Sequence, residues 1–223
     1  MSKTFAPAGT QATQSYEIIN DGKEKVAIEM SVVTRQMELN GAETYQDANQ
    51  DFLIYPPQIL LKPGEVQAVQ VTWLGNPQPK EELAYRLVAK QLPIDLTSPS
   101  QDVAKPVGQL RVLMSYMGSL YIRPTNTKPN VVLQSIALQK NAKGTSEIVL
   151  MLKNEGTARA ALRKFNLSLK FQSGTVVELH PEQLKEINNQ VILAGHTRRF
   201  VISLPKELPN EPITASFDFA KEE

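Results

Sequence analysis

Apolar residues recur at every second position through most of this chain, and the 3.6-residue period of helices is nearly absent. Tyr16 and Ile18 alternate ahead of Asn20-Asp21-Gly22, a turn signal. Val26, Ile28, Met30 and Val32 resume beyond it, which reads as a hairpin or a tight corner. Asn40-Gly41 closes that region, and Phe52 to Tyr55 is a short apolar strand stopped by Pro56-Pro57. Lys62-Pro63-Gly64-Glu65 places proline and glycine at the central positions of a type II turn. Val69, Val71 and Trp73 follow on one face of a strand, with Gln70 and Thr72 on the other. The next strand covers 83–92 and ends at Pro93; residues 93–108, rich in Pro, Ser and Asp, lack periodicity and predict a long loop. In the following "GQLRVLMSYMGSLYIRP", Leu110, Val112, Met114 and Tyr116 make one strand face wholly apolar, whereas Arg111, Leu113, Ser115 and Met117 make the other mixed.

Beyond Arg123-Pro124 the pattern restarts, with strands predicted over 147–153, 158–162, 165–171, 176–179, 191–193, 200–204 and 213–219. A single helical turn is predicted, over 181–187. Short strands separated by turn signals about every 8–12 residues describe β-sandwiches. The chain therefore reads as all-β: two tandem immunoglobulin-like sandwiches, one over 1–123 and one over 124–223.

Composition narrows the chemistry. With 41% hydrophobic and 21% charged residues the 223-residue chain can fold, and a formal charge of +1 gives no global field for nucleic acid or anionic membranes. No apolar run approaches the ~20 residues of a membrane-spanning helix, so no direct membrane insertion is expected. The start, "MSKTFAPAGT", has no apolar stretch of the signal-peptide kind. Cysteine is absent, which excludes disulfides, thiol nucleophiles and cysteine metal sites. His180 and His196 lie too far apart in sequence for a paired ligand motif, and no GxSxG, Walker or GxGxxG segment occurs. The adjacent pairs Glu81-Glu82 and Glu222-Glu223 would point to opposite faces of a strand and cannot act jointly as acid and base. Arg159, Arg163, Lys164, Arg198 and Arg199 lack the interleaved aromatics of a nucleic-acid platform. No enzyme, cofactor, metal or nucleic-acid partner is expected.

Three segments in order carry a family resemblance: "FLIYPPQILLKPGEVQAVQV" at 52–71, "EELAYRLVAKQLP" at 81–93, and the strand ending "SLYIRP" at 119–124. Together they resemble the periplasmic chaperones of the chaperone–usher pathway, which assemble pili on bacterial surfaces. "KNEGTARA" at 153–160 resembles a corner of the family's second domain. The uncharged Ser119, where the best-studied branch has a lysine, and the Tyr85-Arg86-Leu87 strand look more like the archaic branch.

The resemblance implies two sandwiches set at an angle, a periplasmic location, and two partners, pilin subunits and an outer-membrane usher. It implies that the chaperone lends an edge strand to a pilin lacking its own last strand, with main-chain hydrogen bonds for affinity and alternate side chains in pockets for specificity. Counting back from Arg123-Pro124, the donor positions fall on Leu110, Val112, Met114 and Tyr116, the row the alternation selects independently. Leu113 and Met117, on the opposite face, are expected to pack inward. Arg86 and Lys90, four apart and on one strand face, are candidates to anchor the subunit's terminal carboxylate. Glu82 and Arg123 take the family's inter-domain salt-bridge positions. An uncovered apolar edge invites aggregation, so either the 93–108 loop covers it or the chain self-associates through it. The alternative of another class is an immunoglobulin-like structural or adhesion module, which would need no outward apolar edge.

Overall fold

A computed structural model describes residues 2–94, 113–142, 144–203 and 211–220. The chain forms two compact units. The first comprises Met1–Arg35, Tyr45–Pro79 and Leu83–Pro124; the second takes Thr125–Glu223 together with two excursions of the first half, Gln36–Thr44 and Lys80–Glu82.

The first unit is a sandwich. Its strands are β1 (Ser2–Phe5), β2 (Thr13–Ile19) and β3 (Val26–Thr34), then, past the β4 (Gln36–Met37) and β5 (Glu43–Thr44) excursion, β6 (Phe52–Tyr55), β7 (Gln58–Leu61), β8 (Val66–Trp73), β9 (Leu83–Gln91) and β10 (Ser115–Ile122). One sheet runs β1-β10-β9-β3-β7, the other β2-β8-β6. Val69, Val71 and Trp73 point inward as the alternation requires, and meet Tyr16, Phe52, Tyr85, Leu87, Leu120 and Ile122 in one core. Phe52 packs edge-on against Trp73 and Tyr85, each with ring centroids 5.0 Å away.

Of the two readings of Asn20-Asp21-Gly22, the structure gives the corner: β2 pairs with β8 and β3 with β7 and β9, in different sheets. The buried Asn20 side chain holds that corner. Its Nδ2 donates to the Glu24 and Leu61 carbonyls at 2.7 and 3.2 Å, and its Oδ1 accepts from the Gly22 amide at 3.1 Å. The turn at 62–65 closes with the Glu65 amide on the Lys62 carbonyl at 3.0 Å, and Gly64 has the φ of +74° its chemistry calls for.

The second unit stacks β11 (Val131–Lys140), β12 (Ser146–Asn154) and β16 (Thr197–Ser203) against β13 (Ala160–Phe171), which pairs with β14 (Val176–Leu179), β15 (Gln190–Ile192) and β17 (Ile213–Ala220). Two departures from the sequence reading share one cause. β11 is not foreseen, because a register shift between Leu133 and Ser135 breaks the two-residue period within it. The expected strands 158–162 and 165–171 are one strand, β13, with a register shift between Arg163 and Asn166 and Lys164 at φ +49°. The segment 181–187 forms consecutive turns rather than a helical turn, closed by Leu184 on Pro181 and Ile187 on Leu184. Leu184 and Ile187 are fully buried. The buried Asn154 ties the corner after β12: its Nδ2 donates to the Ala158 and Ile192 carbonyls, and its Oδ1 accepts from the Asn130 and Gly156 amides, all between 2.8 and 3.1 Å.

Candidate functional site

The apolar row of the sequence ends in β10, and this strand changes character along its length. Antiparallel pairing with β9 sets Tyr116 opposite Ala89, Gly118 opposite Leu87 and Leu120 opposite Tyr85. Leu120 and Ile122 are fully buried in the first core. By the two-residue period Tyr116 and Met114 lie on that same face, yet they are 63% and 51% exposed. The ladder reaches Met114, whose carbonyl accepts from the Gln91 amide at 3.0 Å, so these side chains project from ordered sheet. The Tyr116 hydroxyl donates to Met114 Sδ at 3.3 Å.

What these two side chains face is an open mouth of the sandwich. They line a cleft of about 300 Å³ with Ile18, Val26, Ile28 and Ala89, bordered by Asn20 and Asp21. Ile18, Val26, Ile28 and Ala89 are partly buried and continuous with the core behind them. The hydrogen-bonding edge is divided in the same way. β1 pairs in parallel with Ser119 to Ile122, and among the described residues no strand pairs with that side of Ser115 to Gly118. Among the described residues an apolar face, an unpaired edge and an unfilled cleft thus coincide at one end of one strand.

The opposite face of β10 corrects an expectation. Leu113 and Met117 do not pack inward; they are 46% and 45% exposed. The other sheet covers the face of Leu120 and Ile122, so Met117, Val88 and Ser31 lie on the side turned away from it. Leu110 and Val112 lie outside the described residues, as does the expected covering loop from residue 95 onward.

That outward face also carries Arg86 and Lys90. Arg86 is half-buried and its Nη1 donates to Ser119 Oγ at 2.6 Å, so the serine in the expected lysine position receives a guanidinium from the next strand. Lys90 is exposed, opposite Ser115 on β10 and Glu29 on β3. The sequence reading missed Arg35, which is buried and donates from Nη1 to the Tyr121 hydroxyl at 2.5 Å. Only the register, which sets Tyr121 opposite Ala84 while Arg35 bonds the Ala84 carbonyl, reveals this pair.

Glu82 belongs to the second unit. Its buried carboxylate accepts from Arg159 Nη1 at 2.8 Å and from the Arg159 amide at 3.1 Å. In the sequence Arg159 is only one of a basic group, and long-range pairing of this kind has no local signal. Arg123 closes the first unit, its amide on the Phe5 carbonyl at 2.9 Å. Among the described residues no group of three or more His, Asp or Glu side chains is placed to hold a metal ion. No helix there is long and apolar enough to cross a membrane.

Comparison with known proteins bears on this arrangement. The family model described as pili and flagellar-assembly chaperone, PapD N-terminal domain, matches residues 5–128. No curated protein matches in a sequence search. Among solved structures, the class 5 fimbriae chaperone CfaA is similar with a TM-score of 0.56 at 15% identity, over 98% of this chain and 96% of that one. The CsuC–CsuE chaperone–tip adhesion subunit pre-assembly complex, from archaic chaperone–usher Csu pili of Acinetobacter baumannii, gives 0.57 at 18% identity, over 95% and 87%. The SafA pilin in complex with the SafB chaperone of Salmonella enterica gives 0.52 at 13% identity, over 89% and 79%. At these identities the likeness is one of fold.

Proposed function

The chain belongs to the pili and flagellar-assembly chaperones, and from that premise we propose that it holds pilin subunits by lending them the free end of β10. The strand adds to an incomplete pilin sheet, with Met114 and Tyr116, preceded by Leu110 and Val112, filling the pilin's apolar groove. Arg86 and Lys90 anchor the subunit's terminal carboxylate by charge-assisted hydrogen bonds. The chaperone works in the periplasm and passes its cargo to an outer-membrane usher. Support for subunit partners comes from the similar folds solved with a tip adhesion subunit and with a pilin.

One observation carries the reading: Met114 and Tyr116 share a face with the fully buried Leu120 and Ile122 but stand half or more exposed, beside an edge that no strand of the described residues pairs. Burying large apolar side chains contributes ~1.5–3 kcal/mol each, and each strand hydrogen bond adds about 0.5–1.5 net. Lost translational and rotational freedom offsets much of the sum. The balance is a firm complex that a better-fitting strand can displace.

The test is periplasmic co-expression with pilin subunits, comparing the natural chain with Met114→Asp and Tyr116→Asp. Each change places an ion in an apolar groove, and recovery of soluble pilin should fall at least about tenfold while the chaperone stays folded. Undiminished recovery with folded variants would overturn the donor-strand assignment.

A further inference from the structure

The donor strand is built with sulfur. Of the six methionines, Met30 and Met37 are buried and Met151 is half-buried, whereas Met117, in the free end of β10, and Met114, just ahead of it, are each about half exposed. The chain has no cysteine, so no thiol competes for an oxidant, and accessible thioethers are its softest nucleophiles. We propose that Met114 and Met117 are an oxidation site, and that conversion of Met114 to its sulfoxide reversibly disables the strand for client holding. The second half of this proposal rests on the function proposed above; the first does not.

The chemistry is a two-electron transfer from a thioether to a peroxide. A sulfur lone pair attacks one peroxide oxygen, the O–O bond breaks, and the departing hydroxide takes the proton from the hydroxyl now on sulfur and leaves as water. The sulfur is oxidised to the sulfoxide and the peroxide is reduced. Reversal needs a thiol-dependent sulfoxide reductase, in which two thiols become a disulfide and the sulfoxide oxygen leaves as water. At Met114 the product is a strongly polar S=O on the face that a pilin groove must desolvate, and a groove built for an apolar side chain offers it no hydrogen-bond donor. Met117, on the outward face, reports accessibility without filling the groove. Position decides which oxidation event matters.

The experiment treats the free, full-length chaperone with dilute hydrogen peroxide and maps sulfoxides by peptide mass spectrometry. The treated protein is then challenged with a pilin subunit, first shown to be held by the untreated chain, diluted from denaturant. Expected are oxygen on Met114 and Met117 well before Met30 and Met37, and roughly a tenfold loss of soluble complex. Methionine sulfoxide reductase with dithiothreitol should restore holding, and in Met114→Leu peroxide should leave holding at that variant's own untreated level. Oxidation of Met30 or Met37 ahead of Met114 overturns the site assignment. Full oxidation of Met114 with undiminished holding, or equal peroxide sensitivity in Met114→Leu, overturns the switch while the donor-strand function stands. If Met114→Asp and Tyr116→Asp hold pilin without any oxidant, it is that function that fails.

Discussion

Tyr16 shows what this sandwich tolerates at a single residue. It is fully buried in the first core, and its hydroxyl has no hydrogen-bond partner among the described residues. Burial pushes its phenol pKa well up. An unpaired buried hydroxyl costs about 1–3 kcal/mol, so Tyr16→Phe should stabilise the chain, seen as a higher midpoint in urea; a lower midpoint would show an unseen partner. Tyr85 makes the matching pH prediction. Burial, with Asp51 adding to it, lifts its pKa from 10.0 to about 12. The folded state then keeps its proton more tightly than the unfolded state. That contribution is complete below pH 10 and is lost as pH rises from 10 through about 12. The urea midpoint should therefore hold on the acid side of that window and fall across it, and less steeply in Tyr85→Phe. At this scale much was legible: Val69, Val71 and Trp73 are core because alternation dictates it. The inward packing expected of Met117 fails, since alternation separates two faces without saying which one a second sheet will cover.

At the scale of the element, β10 joins a packed half to an open half, and the boundary follows its neighbours. Where β1 pairs, at Ser119 to Ile122, the inward side chains are sealed; ahead of it they are not. The sequence revealed the strand and its alternation, but the parallel clip by β1 joins residues too distant for any local signal. The strand β11 and the continuous β13 were illegible for another reason: a register shift moves the apolar phase by one residue, and period-2 counting then loses the strand. Long-range polar ties behave likewise. Glu82, held by the Arg159 guanidinium and amide, anchors the Lys80–Glu82 excursion within the second unit. Breaking a buried pair by removing one partner costs about 3–5 kcal/mol, so Glu82→Ala should lower unfolding free energy by that order. A loss under about 0.5 kcal/mol would mark the pair as ordinary surface electrostatics.

Across the whole molecule, the family match at residues 5–128 takes in the first unit from Phe5 onward, and with it the cleft and the free end of β10. Two tandem sandwiches were visible in the rhythm of strands and turns. What the sequence could not show is that the same face of β10 serves as core at one end and stands exposed at the other. Backbone hydrogen exchange, comparing the free chaperone with its complex with a co-expressed pilin, tests that division directly. Strong new protection is expected at the amides of 113–118, with little change at 119–122, already clipped by β1. Unchanged exchange at 113–118, with protection arising elsewhere on the chain, would contradict it.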